Sequence, residues 1–267
     1  MPERTGNGSD DSFDWEAFIP DREWQIYQQV ITEAQCRGLR FAVGGGLAFS
    51  LYSHHLRNTK DIDLYIMPGD RDAFVELLDA AGFQDLYPRQ EYRRSWIYRS
   101  IREDVIVDVI WAMANSYADV DESWFEHAAE HEIRGVTLPL VPLEELIWFK
   151  LYVLHRDRCD WPDIFNILRL RSEAVDWNHL LARAAENQAL LAGLLCVFHW
   201  LCPCEARQIP GFVWEKLGLS QLPPEPFEVS SLERAYLIDS YHDWFGATHA
   251  DWTGQPVIRK RSEEGPC

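Results

Sequence analysis

At 267 residues the chain is long enough for one large or two small domains with a real core. A hydrophobic fraction of 47% and an aromatic fraction of 13% exclude a disordered chain, and a net charge of −18 counts against extended tracking along a nucleic-acid backbone. No apolar run reaches membrane-spanning length, the start of the chain lacks a signal-peptide pattern, and six scattered cysteines make no disulfide framework, so a cytoplasmic protein without membrane contact is expected.

Residues 1–19 read as a polar leader. Helical spacing over 21–38 stops at Gly38. A strand over 39–43, a turn at Gly44, Gly45 and Gly46, a helix over 47–53 and a strand over 61–67 follow. A helix over 69–81 ends near Gly82, 95–99 and 104–111 alternate as strands, and 131–141 reads as a hairpin turning at Gly135. Beyond Pro142 the pattern is helical only, over 143–155, 161–171, 176–186, 188–202, 211–218 and 230–246, with a Pro-rich linker at 222–228. The prediction is an α+β fold: a mixed-sheet core domain over 20–141 flanked by helices, then an α-helical domain over 142–267.

The chemistry concentrates between Phe41 and Ile66. Asp61 and Asp63 are two apart on a strand, so their carboxylates share a face while Ile62 and Leu64 point to the core. Two neighbouring acids repel and ask for a cation; Mg2+ (or Mn2+), with oxygen ligands and waters kept for phosphates, is the usual answer. Gly45 and Gly46, between strand and helix, are suited to meet a phosphate chain. Asp108 sits inside a Val/Ile strand, where an unpaired carboxylate is costly, and is the third metal candidate; Asp104 is nearer the strand start and easier to solvate. The commonplace readings are a turn residue for Asp61, an exposed strand position for Asp63 and a solvated edge for Asp108.

These residues resemble the core signature of the nucleotidyltransferase superfamily related to DNA polymerase beta: a glycine turn, a short helix and an Asp-apolar-Asp strand. Gly45-Gly46-Leu47-Ala48 followed by Arg57-Asn58-Thr59-Lys60-Asp61-Ile62-Asp63-Leu64 is similar to the AbiEii-like, minimal prokaryotic kind, with a gap at the long end of the family range. The resemblance implies a nucleoside triphosphate such as ATP as substrate, and Asp61, Asp63 and Asp108 as catalytic and metal ligands. Gly45, Gly46, Arg57, Lys60 and Lys150 would then hold the triphosphate. A later family motif, a helix lysine followed by a basic residue and Asp-x-x-Asp, is matched by Lys150, Arg158, Asp160 and Asp163, with Cys159 where the family often has lysine. Helix capping is the plain alternative for Asp160 and Asp163.

Other groups carry weaker signals. His127 and His131 fit the H-x-x-E-H zinc spacing, and Cys196, His199, Cys202 and Cys204 could make a tetrahedral site; a solvated acidic run and buried apolar cysteines are the simpler readings. His54 and His55 precede the catalytic strand, as site residues or as an exposed helix end. Arg89, Arg93, Arg94, Arg99 and Arg102 form a basic run, read first as solvated strand edges. The expected activity is transfer of a nucleoside monophosphate to a hydroxyl of a small molecule, a protein or tRNA, with nucleic acid disfavoured by the acidic balance. The alternative is an inactive nucleotide-binding or toxin–antitoxin-type module that keeps the fold.

Overall fold

The computed structural model describes residues 18–55, 61–222 and 229–245. Arg57, Thr59 and Lys60, the leader up to residue 17 and most of the Pro-rich linker lie outside them. The chain divides into two compact units, one formed by residues 1–48 and 58–142, the other by 49–57 and 143–267.

The first unit is built on a seven-stranded mixed sheet in the order β3-β4-β5-β2-β1-β7-β6. Its strands are β1 (Ala42–Val43), β2 (Asp61–Tyr65), β3 (Gln84–Asp85), β4 (Ile97–Arg102), β5 (Val105–Ile110), β6 (Ala129–Ile133) and β7 (Val136–Leu140). β2 runs parallel to β5 and antiparallel to β1, β4 runs antiparallel to β5, and β1 is parallel to β7. Helix α1 (Asp21–Cys36) buries Trp24, Tyr27, Val30, Ile31 and Ala34 at helical spacing and packs on β5 and on the later helix α3 (Arg71–Ala80). Helix α2 (Gly45–Ser53) begins inside the glycine turn, and a short helix α4 (Ser123–Glu126) brings Trp124 to stack on Tyr65, ring centroids 5.0 Å apart.

The predicted hairpin at Gly135 forms, and the two predicted strands before it pair as another, both by turns that cost backbone strain. Arg134 and Gly135 take φ of 49° and 77° between β6 and β7, and Glu103 and Asp104 take 53° and 69° between β4 and β5. Two left-handed residues match the twist of paired strands. Asp104 is therefore a turn residue and not a strand carboxylate beside Asp108.

The second unit is helical: α5 (Leu143–Leu151), α6 (Trp161–Arg171), α7 (Trp177–Ala184), α8 (Gln188–Leu201), α9 (Pro203–Ala206), α10 (Gly211–Lys216) and α11 (Ser231–Ile238). Phe165 of α6 stacks on Phe198 of α8 at 5.8 Å, and Leu191, Leu194, Leu195 and Leu201 are fully buried. Helix α11 starts with a capping box of Ser230 and Glu233, each satisfying the other's orphan backbone N–H. Residues 177–201 together are long and apolar enough to cross a membrane, contrary to the expectation that no such run exists. A 3-10 turn at Ala185–Asn187 breaks the stretch, and its leucines fill the core of this unit.

Two zinc readings fall with the fold. His127 ends α4 while His131 lies within β6, so the pair is not one helical turn apart. His199 packs edge-on to Trp214, and among the described residues no group of three or more His, Cys, Asp or Glu is arranged to hold a metal ion. The described cysteines are free thiols.

Candidate active site

Sheet register brings the acids of the first unit together. Asp63 on β2 is the direct partner of Asp108 on β5, and Asp108 is the partner of Arg99 on β4. Paired residues share a face, so Arg99, Asp108 and Asp63 form a row across three strands, with Asp61 one pleat away beside them. Ile62, Leu64, Val107 and Val109 fill the other face and are at most 3% exposed. Asp108 is equally buried, which accounts for an acid within a Val/Ile strand only if its charge is met.

Arg99 meets it. Its Nε–H donates to both Asp108 oxygens at 2.9 and 3.0 Å, and its Nη2 reaches Asp61 Oδ2 at 3.4 Å. Burial still dominates: it pushes the Asp108 carboxyl up to about 6, the Arg99 hydrogen bonds and charge pull the other way, and Asp61 adds to the rise. The field spreads to α1, where burial first and then Glu23 and the three aspartates push the Tyr27 hydroxyl up. Sequence reasoning assigned Arg99 to a basic strand edge and missed this role. The signal was there, since the β4–β5 pairing places Arg99 opposite Asp108, but it depends on a register that only the turn fixes. The rest of the basic run disperses: Arg94 pairs with Asp85 over the Tyr87 ring, and Arg102 reaches the Ala81 carbonyl and Gln29.

The glycine turn serves the acids more directly than the sequence suggested. The Gly44 N–H is spent on the Asp63 carbonyl at 3.0 Å. A Cβ on Gly44 would stand 2.3 Å from the Tyr65 ring, and one on Gly45 only 1.6 Å from Asp63 Oδ2. The Asp63 carboxylate thus lies against the first turn of α2, where the helix dipole favours negative charge. Gly45 also has a φ of 55°. We expect Gly45→Ala to cost about 1–2 kcal/mol in backbone strain alone and to displace Asp63. Thermal melting together with Mn2+ binding checks this; unchanged values in both would refute it.

In the second unit, Lys150 of α5 is 5% exposed and donates to Asp160 Oδ2 at 2.8 Å and Asp163 Oδ2 at 2.7 Å. Arg158 adds two hydrogen bonds to Asp160, at 3.0 and 3.1 Å, and Phe49 lies 5.9 Å from the Lys150 ammonium. Asp160 stands at the N-cap position of α6 but makes no cap hydrogen bond, because its side chain is given to Lys150 and Arg158. The motif resembling Lys…Arg-x-Asp-x-x-Asp is therefore one ion network, with exposed Cys159 outside it. An ammonium held by two carboxylates has no charge in excess to offer a triphosphate. His54 is exposed and faces the Arg171 guanidinium, while burial first and then Arg169 lower the pKa of His55.

Burial alone would raise the Asp160 carboxyl, yet the charge and hydrogen bonds of Lys150 and Arg158 hold it well below the usual carboxylate range. A depressed folded pKa contributes stability that is complete above the unfolded value near ~3.9 and fades as pH falls through the folded one. Acid unfolding below about pH 4 is thus expected to be less steep in Asp160→Asn, as followed by circular dichroism across an acid titration.

Asp61, Asp63 and Asp108 put carboxylates, the donors a hard divalent cation prefers, on one face of neighbouring strands, with Arg99 bonded to two of them in place of a ready three-ligand cage. Mixed sheet, glycine-started helix and cross-strand acids define a protein of the nucleotidyltransferase class. Residues 25–201 match the family described as uncharacterised nucleotidyltransferase, and the chain belongs to that family. The superfamily expectation is met, whereas the AbiEii-like kind is not what the match names.

No protein with a curated description matches the chain. Among solved structures, the antibiotic-resistance factor ANT(2'')-Ia is similar at 18% identity over 68% of this chain and 99% of its own, with a TM-score of 0.47. An antigenic nucleotidyltransferase-like protein from Paracoccidioides brasiliensis is similar at 18% over 74% and 99%, TM-score 0.49. The lincosamide antibiotic adenylyltransferase LnuA is similar at 15% over 56% and 96%, TM-score 0.40.

Proposed function

We propose that the protein moves a nucleoside monophosphate from a nucleoside triphosphate to a hydroxyl of an acceptor, in a reaction that depends on Mg2+ or Mn2+. The observation that supports this most is the row of Asp63 and Asp108 across parallel strands with Asp61 beside them, in which Asp108 is buried and Asp61 half-exposed. Asp61, Asp63 and Asp108 would hold the cation, which when bound supplies charge neutralisation of the triphosphate and activation of the acceptor oxygen. Asp108, whose burial raises its carboxyl above the usual range, would also be placed to take the proton from the acceptor hydroxyl. Asp63 is oriented by Gly45, and Asp61 keeps one edge exposed toward incoming groups. Gly46, in the first turn of α2, together with Arg57 and Lys60, would bind the phosphates.

The net charge of −18 favours a cationic or neutral acceptor, such as an aminoglycoside or a protein hydroxyl, over a nucleic acid. Incubation of the purified protein with each labelled nucleoside triphosphate and a panel of antibiotic, protein and tRNA acceptors tests the proposal. Label transferred to a small or protein acceptor supports it; transfer to tRNA alone overturns the acceptor class. A second reading, an inert nucleotide-binding module, is favoured by one observation: Arg99 already sits between Asp61 and Asp108. Label transfer separates the two, since an inert nucleotide-binding module takes up nucleotide without passing its label to an acceptor.

A further inference from the structure

The acid row carries a cation of its own. Arg99 is the member of its basic run whose guanidinium is bonded to Asp108 and Asp61, and three features place it there. Register sets it opposite Asp108, the Tyr92 hydroxyl accepts from its backbone N–H at 3.1 Å, and that hydroxyl is itself tied to Asp85 at 2.8 Å. Its Nε covers both oxygens of Asp108 and its Nη2 lies by Asp61, so both of these carboxylates are already engaged. Both carboxylates share a single guanidinium, and a divalent ion would bring twice its charge to the same oxygens. A divalent ion ligated by those oxygens would stand next to the guanidinium, and like charges at such separations repel strongly. With a quarter of its surface exposed, the Arg99 side chain has solvent to retreat into.

We propose that Arg99 and a divalent cation are alternative occupants of the space between Asp61 and Asp108. The guanidinium neutralises the carboxylates while no metal is bound and gives them up when the ion enters. Divalent binding is therefore an exchange of cations and is weaker than three bare carboxylates would give. The protein in turn does not depend on metal to keep its acid face folded. The inference rests on the metal-dependent reading above.

The test is Mn2+ binding to the full chain without nucleotide, by electron paramagnetic resonance or calorimetry, with melting in EDTA and in Mg2+. Arg99→Gln should bind Mn2+ about tenfold more tightly than the unsubstituted protein. It should also melt lower in EDTA and recover more on adding Mg2+. Equal or weaker Mn2+ binding by Arg99→Gln overturns the proposal. If Arg99→Gln does not fold, Arg99→Lys decides: its single ammonium cannot cover both carboxylates as the planar fork does, so it should tighten Mn2+ binding several-fold, and no change overturns the proposal. Asp63→Asn separates the two levels of inference. If it abolishes Mn2+ binding while Arg99 variants bind as the parent does, only the exchange fails. If no variant and no parent protein binds Mn2+, the metal-dependent reading fails with it.

Discussion

Asp63→Asn should lower nucleotidyl transfer by at least about a thousandfold while leaving the fold intact. The substitution keeps the shape of a side chain wedged against Gly45 and removes only its charge. Holding a divalent ion beside a reacting phosphate is worth several kcal/mol, each ~1.4 of which is a factor of ten in rate. The fold should survive, since the partner of Asp63 across the sheet, Asp108, keeps both Arg99 hydrogen bonds, and losing a charge at the start of α2 costs about 1 kcal/mol or less. A cooperative melt close to that of the parent, with label transfer lost, is the expected pair of results. An Asp63→Asn protein that transfers label at the parental rate would remove the acid row from the mechanism.

Lys150→Met should have the largest effect on stability. It deletes the cation between two carboxylates in the second unit, where the side chains of Lys150 and Asp160 are 6% and 4% exposed. Breaking a buried pair from one side costs about 3–5 kcal/mol because a charge is left without a partner. Arg158 still holds Asp160, so about 3 kcal/mol is the expected loss, read by denaturant unfolding. Adding Asp163→Asn should restore part of it. Should Lys150→Met instead keep its stability and lose nucleotide binding, the lysine is a triphosphate clamp as its motif suggested.

The contrast between Lys150 and Arg99 shows what was legible in the sequence. Lys150 stood out because an ammonium on an apolar helix needs a partner, and Asp160 and Asp163 lie only 10 and 13 residues ahead. The acid strand, the glycine turn and the hairpin at Gly135 were likewise local patterns. Arg99 became meaningful only through pairing with Asp108, a matter of register that no window along the chain contains. Helix α5 stops at Leu151 and not near residue 155, because Leu154 and Cys159 bridge around the charged turn His155–Arg158. Elements of two to four residues, such as β3, α4 and α9, have too little length to show a period.

The Glu103–Asp104 turn has a consequence for how this family can vary. Surface turns usually tolerate insertions and deletions with little penalty. Here one added residue would shift β4 against β5 by a single step, and every side chain of the shifted strand would change faces. Arg99 would look away from Asp108, leaving the buried carboxylate without its counter-charge. Related chains that retain both residues are expected to keep this turn at two residues, drawn from those that tolerate a left-handed backbone.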